Sequence, residues 1–120
     1  MSKRTLVLGA SLKPHRYSNQ AIRALRDHQH DVIAVGLRSG EVEDVTIDTE
    51  FPEDSNIHTV TIYLGMERQM VYTDYLLMLK PTRVIFNPGA ENPELAHRLQ
   101  QNGTETLEAC TLVMLATQQY

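Results

Sequence analysis

Thr5-Leu6-Val7-Leu8-Gly9-Ala10-Ser11-Leu12-Lys13-Pro14 decides how this chain is read. Thr5 to Leu8 is an apolar run with no polar alternation, the pattern of a strand covered on both faces. Gly9 ends it. A polar loop follows from Ala10 to Tyr17. Ser18 then stands where a helix would begin, as a natural N-cap, with Ala21, Ile22 and Leu25 on one helical face. A buried strand, a glycine, a loop and an amphipathic helix together form the opening of a βαβ unit.

Working outward, the same alternation repeats. Asp31 to Val35 is β-branched and reads as a second buried strand. Gly36 to Gly40 reads as a loop, Val45 to Asp48 as a short edge strand, and Pro52 to Asn56 as a turn cluster. Ile57 to Leu64 predicts a strand with Val60, Ile62 and Leu64 on one side and Thr59, Thr61 and Tyr63 on the other. Glu67 to Lys80 predicts one helix, with Met66, Met70 and Leu77 near one face and Val71, Tyr75 and Met78 beside them. Pro81 stops it. Arg83 to Phe86 is a further strand, and Asn87-Pro88-Gly89 a turn. Asn92 caps the next helix, with Pro93 at its first position and Gly103 past its end. Thr104 to Glu108 is a last strand, and Ala109 to Thr117 a short helix. Alternating strands and helices predict an α/β fold with a doubly wound, mainly parallel sheet of Rossmann-like topology, helices on both faces. Residues 1–120 read as one domain.

Composition agrees and excludes several classes. The 120 residues are 42% hydrophobic and 22% charged, values of an ordinary globular domain rather than a disordered or fibrous chain. Leu112 to Ala116 is as long an unbroken apolar stretch as the chain has, far short of a membrane span. The first residues lack the apolar region of a signal peptide, so the expectation is a cytoplasmic protein away from membranes. Basic residues number 11 against 15 acidic ones, a poor balance for a nucleic-acid partner. Bases concentrate in residues 1 to 38 and acids in residues 41 to 54. A single cysteine, Cys110, excludes an internal disulfide and a cysteine-based zinc site. The scattered histidines form no metal-binding spacing.

In doubly wound folds ligands bind beyond the carboxyl ends of the strands, where strand order reverses. Four segments would meet there: Gly9 to Ser18, Val35 to Arg38, Leu64 to Met66 and Asn87 to Asn92. Gly9-Ala10-Ser11-Leu12-Lys13-Pro14 occupies the phosphate-loop position, but Ser11 and Pro14 stand where the dinucleotide fingerprint has its second and third glycines. Lys13, Arg16 and Ser18 before a helix still suit a phosphate, because helix N-terminal amides and their dipole favour an anion. Ser18 fits this role or a plain capping role equally. After the second strand a dinucleotide site wants a carboxylate for the ribose hydroxyls. Val35-Gly36-Leu37-Arg38 has none. Arg38 suits a ribose bearing a phosphate, as in NADP or coenzyme A, or is simply solvated. No phosphate-loop lysine motif, nucleophile elbow or catalytic constellation is present. Cys110 reads as a small buried hydrophobe or as a thiol activated at a helix start.

These residues resemble the small single-domain CoA-binding protein family, which is similar to the CoA-binding domain of the succinyl-CoA synthetase alpha subunit. The resemblance covers nearly the whole chain. It rests on Val7-Leu8-Gly9-Ala10-Ser11 with Lys13-Pro14, Arg16 and Ser18, and on Ile62-Tyr63-Leu64. It rests also on Val84 through Asn92, and on Cys110. The resemblance implies that Gly9, Ala10, Ser11 and Lys13 line the pyrophosphate and that Arg38 stands near the ribose phosphate. It further implies that Leu64 and Gly65 face the adenine or pantetheine and that Asn87, Pro88 and Gly89 close the site. Gly36-Leu37 replaces the family's usual Asn-Pro, and an Asp usual near His58 or Thr59 is missing. The expected ligand is coenzyme A or an acyl-CoA, held by a non-catalytic module. The synthetase's phosphorylated histidine belongs to another domain, so ligase activity is not implied. The readings left beside this one are an NADP-binding small oxidoreductase and a ligand-free interaction protein. Self-association, for instance through the strand at Val45, stays open.

Overall fold

The computed structural model describes residues 2–53 and 56–120. Part of the turn expected over Pro52 to Asn56 lies outside the described residues. The chain runs β1 (Thr5–Ala10), α1 (Tyr17–Asp27), β2 (Val32–Gly36), β3 (Gly40–Val42), β4 (Val45–Asp48), β5 (Thr59–Ile62) and α2 (Met66–Gln69). A 3-10 turn, Met70–Tyr72, leads into α3 (Thr73–Leu79), β6 (Arg83–Phe86), α4 (Pro93–Gln101), β7 (Glu105–Glu108) and α5 (Thr111–Ala116).

One seven-stranded sheet has the order β3-β4-β2-β1-β5-β6-β7. Every pairing is parallel except β3 with β4. β1 lies between β2 and β5, and all but one of its residues are buried, as its unbroken apolar run predicts. Alternate side chains of the strands serve two cores. Leu6, Leu8, Val60, Ile62, Val84 and Phe86 face Leu76, Leu95 and Leu99 from α3 and α4. Val7, Ala34 and Ile47 face Ile22 and Leu25 from α1 and Leu115 from α5. The doubly wound α/β expectation holds.

Three local expectations are corrected. Val45–Asp48 is not an edge strand. Gly40–Val42, read partly as loop, pairs outside it as an antiparallel hairpin, with Val42 opposite Val45 and Glu43 at φ 55° in the tight turn. The helix expected from Glu67 to Lys80 is broken by the 3-10 turn. A 3-10 turn advances each residue by a larger angle than an α-helix does, so a stripe drawn at α-helical spacing loses its phase. Met66, Met70, Val71 and Met78 of the expected apolar stripe are exposed, while Tyr75 is buried as expected, with Gln69 and Leu76 buried beside it. Ser18 does not cap α1. Arg16 holds that position without a side-chain cap, and Ser18 is the second residue of the helix, buried against the sheet. Asn92 caps α4 as expected, its Oδ1 accepting from the Leu95 amide, with Pro93 at the first helical position.

Candidate functional site

β1 sends its helix to one face of the sheet and β5 sends its helices to the other. The carboxyl ends of β1 and β5 therefore border the crevice where strand order reverses, the usual ligand position in such sheets. The backbone there is shaped by two glycines. Gly9 forms a bulge at φ 89°, where the register with β2 shifts between Leu8 and Ala10. A methyl group on Gly9 would lie 3.0 Å from Leu64 Cδ2. Gly36 pairs with Ala10, and a methyl group there would lie 2.2 Å from the Ala10 carbonyl oxygen, inside van der Waals contact. Only glycine lets β1, β2 and the loop after β5 approach this closely.

The loop between β1 and α1 is tied from within. The Lys13 amide donates to Ser11 Oγ (3.1 Å), and the Arg16 amide donates to the Lys13 carbonyl (3.0 Å). Asn19, buried in α1, donates from Nδ2 to the Ser11 carbonyl (2.9 Å) and accepts on Oδ1 from Arg23 Nε (2.8 Å). The loop is held while the side chains of Lys13 and Arg16 remain exposed. Leu12 lies over Gly40, its Cδ2 2.6 Å from where a methyl group there would sit. This contact sets the loop against the segment after β2 that carries exposed Leu37 and Arg38.

The charge map sharpens the expectation of a basic first third. Arg23 Nη1 pairs with Glu43 Oε1 (3.2 Å), and Arg26 binds Asp44 through two bonds of 2.9 and 2.7 Å. The Arg26 hydrogen bonds hold the Asp44 carboxyl below its ordinary range. Much of the positive charge on α1 is thus matched by the β3–β4 hairpin. Lys13, Arg16 and Arg38 form no ion pair among the described residues. These bases stand on the loops that follow β1 and β2.

On the other side of β1, residues 63–68 line a cleft of about 410 Å³. Leu64 backs onto Gly9, and Gly65 is exposed at the start of α2. The Tyr63 ring packs toward α1 and α5, and burial raises its phenol well above the ordinary value. The loop after β6 divides in two. Pro88 and Gly89 are exposed, whereas Asn87 is 2% exposed and turned inward. Asn87 Nδ2 donates to Thr61 Oγ1 (2.7 Å) and to the Ile62 carbonyl (3.0 Å), while its Oδ1 accepts from the Thr111 amide (2.9 Å). Ser18 is buried in α1, and Asn87 is engaged within the fold. Gly9, Ala10, Ser11, Lys13, Arg16, Arg38, Leu64, Gly65, Pro88 and Gly89 lie along or beside the crevice.

Sequence reasoning missed the polar residues that build this site from beneath. Gln69 donates to the carbonyls of Leu64 (2.8 Å) and Ala90 (2.7 Å) and accepts from Asn92 Nδ2 (2.9 Å). It joins the loops after β5 and β6. Thr61 and Thr111 share a hydrogen bond of 2.8 Å. The available signal was the pair Thr59 and Thr61 within β5, a strand that lies between β1 and β6 and buries all four of its residues. Cys110 is half-buried at the N-cap of α5. Among the described residues no cluster of His, Cys, Asp or Glu could hold a metal ion, and no helix is long and apolar enough to cross a membrane.

A family model described as CoA binding domain matches residues 3–116. The crystal structure of a protein described as uncharacterized superposes with a TM-score of 0.96 at 44% identity, covering 100% of this chain and 99% of that one. A hypothetical protein from Pyrococcus horikoshii OT3 superposes with a TM-score of 0.86 at 22% identity, over 97% of this chain and 83% of that one. Part of the dinucleotide-forming acetyl-coenzyme A synthetase 1 of Ca. Korarchaeum cryptofilum, solved with phosphate and ADP, superposes with a TM-score of 0.72 at 17% identity. That match spans 89% of this chain and 25% of the synthetase. The last two are likenesses of fold. No curated protein matches the chain.

Proposed function

This chain belongs to the CoA binding domain family, and we propose on that premise that it binds coenzyme A or an acyl-CoA across the carboxyl ends of β2, β1 and β5. The observation that carries the reading is the placement of Lys13, Arg16 and Arg38 on the loops after β1 and β2, where none of the three forms an ion pair among the described residues. The pyrophosphate would lie on Gly9, Ala10, Ser11 and Lys13, beside Arg16. There the first-turn amides of α1 and its positive dipole end face the crevice. Arg38 would meet the ribose phosphate. Leu64 and Gly65 would line the cleft for the adenine or pantetheine, and Pro88 and Gly89 would border it on backbone set by Asn87. Ser18 would act through its backbone amide rather than its hydroxyl.

The same placement supports a module that holds its ligand without transforming it. The titratable groups around the crevice include Lys13, Arg16, Arg38, Glu67, Arg68 and the inward-turned Tyr63 phenol, and among the described residues no hydrogen bond joins Glu67 to a nucleophilic side chain. A cytoplasmic small-molecule binder remains the fitting description.

The deciding experiment is thermal melting in parallel with CoA, acetyl-CoA, NADPH, NADH and ADP. A ligand at one hundred times its Kd stabilises by about 2.7 kcal/mol, roughly ten degrees for a chain of this size. The expected result is a shift with CoA or acetyl-CoA and none with NADH. A shift with NADPH alone would replace this reading with a small NADP-linked oxidoreductase. A flat response to all five would favour an interaction protein.

A further inference from the structure

The end of the sheet opposite the cleft is closed by Tyr120. After α5 the Gln118 amide donates to the Leu115 carbonyl (3.3 Å) and the Gln119 amide to the Met114 carbonyl (2.8 Å). This is the left-handed helix closure that favours glycine, yet Gln118 occupies it at φ 60°. A glutamine in that region carries a conformational cost that surrounding contacts offset. Tyr120 supplies them. Its hydroxyl shares a hydrogen bond with Thr5 Oγ1, and its ring centroid lies 5.0 Å from that of His30. Arg83 Cζ stands 4.3 Å from the same ring, and the Lys3 ammonium donates to the Tyr120 carbonyl oxygen. Arg83 is 7% exposed, and its Nη2 is buried with no hydrogen-bond partner among the described residues. The Tyr120 ring thus covers a buried guanidinium, whose charge the aromatic face partly offsets.

The other end of α5 is tied to the candidate site. The Thr111 amide donates to Asn87 Oδ1, and Thr111 Oγ1 bonds Thr61 Oγ1. Asn87 opens the loop that presents Pro88 and Gly89. Between these ties α5 is only 6 residues long and buries Thr111, Met114 and Leu115. A helix this short has little stability of its own and depends on its tertiary contacts.

We infer that Tyr120 is a latch that holds α5 in register and, through the Thr111–Asn87 hydrogen bond, sets the position of the loop bordering the crevice at the far end of the sheet. The coupling runs through contiguous contacts, Thr5 and Arg83 to Tyr120, α5, Thr111 and Asn87. It does not depend on the identity of the ligand.

Native-state hydrogen exchange on the whole unliganded chain tests it. In Tyr120→Ala the Thr111 amide should exchange at least about tenfold faster, with the amides of Leu6 and Val60 unchanged, because only α5 opens locally. Gln118→Gly relaxes the strained turn and should slow exchange at Thr111. Tyr120→Phe keeps the ring over Arg83 and removes the Thr5 bond, so it should give a smaller acceleration at Thr111. It also serves if Tyr120→Ala does not fold. Acceleration confined to residues 117–119, with Thr111 unchanged in Tyr120→Ala or in Tyr120→Phe, overturns the latch.

Discussion

Arg38→Ala separates the ligand's ribose phosphate from the rest of its binding. Arg38 is exposed and forms no ion pair among the described residues. Its removal should change stability by no more than about 0.5 kcal/mol. Any loss of binding is then local. A charge-assisted bond to a phosphate contributes about 1.5–3 kcal/mol when sheltered, and an exposed ion pair about 0.2–1 kcal/mol. Arg38 sits on an open loop, so about 1 kcal/mol is the better figure, roughly a fivefold change in Kd. The assay is titration calorimetry of CoA and of dephospho-CoA against the native chain and Arg38→Ala. The native chain should prefer CoA about fivefold, with the preference shrinking as salt rises. In Arg38→Ala the two ligands should bind alike. A preference for CoA that survives the substitution would refute the assignment of Arg38 to the phosphate. Equal affinities in the native chain would refute a phosphate contact altogether.

Further perturbations probe the scaffold. Gly36→Ala places a methyl group 2.2 Å from the Ala10 carbonyl. It must push β1 and β2 apart, lowering stability by about 1–3 kcal/mol in denaturant titration. An unchanged midpoint would show the strands are not in that contact. Asn87→Ala leaves the buried Thr111 amide without a partner and takes one of the two hydrogen bonds from the Thr61 hydroxyl, a loss of about 1–3 kcal/mol. A cost under about 0.5 kcal/mol would mean the network is not sheltered from water. Burial, then the charge of Lys3, lowers the His30 pKa, and burial, then Arg83, lowers that of His58. Their contribution to stability is complete above the unfolded value near 6.5. It is lost as pH falls from there toward the folded values, because the unfolded chain takes up protons first. Melting temperature should decline over that window, less steeply in His58→Gln. A flat profile would contradict the shifts.

The legible parts of the site were those that depend on local chemistry. Gly9 after an apolar run, the bases Lys13 and Arg16 before a helix, and Arg38 in place of a carboxylate all carry their meaning in sequence. The rest required the fold. Ser18 suits a cap because serine caps helices, but the helix begins at Tyr17, two residues earlier than a Ser18 cap would place it, and buries the serine. The family resemblance implies that Asn87 helps close the site, yet its amide is turned toward Thr61 and Thr111, residues distant in the chain. Gln69 gave no signal, since a glutamine in a helix is ordinarily exposed.

What the amino-acid order determined by itself was the alternation of buried strands with amphipathic helices. Apolar runs and helical periodicity are local, and a sheet shielded on both faces is the way to bury such strands. What only the tertiary structure decided was pairing and phase. The hairpin of Gly40–Val42 on Val45–Asp48 brings Glu43 and Asp44 to Arg23 and Arg26. It thereby distinguishes matched bases from Lys13, Arg16 and Arg38. The 3-10 turn at Met70–Tyr72 breaks the expected single helix, and the helix that follows buries Tyr75 and Leu76 while leaving Met78 exposed. Both depend on contacts between residues far apart in the chain, whose free energies no local pattern encodes.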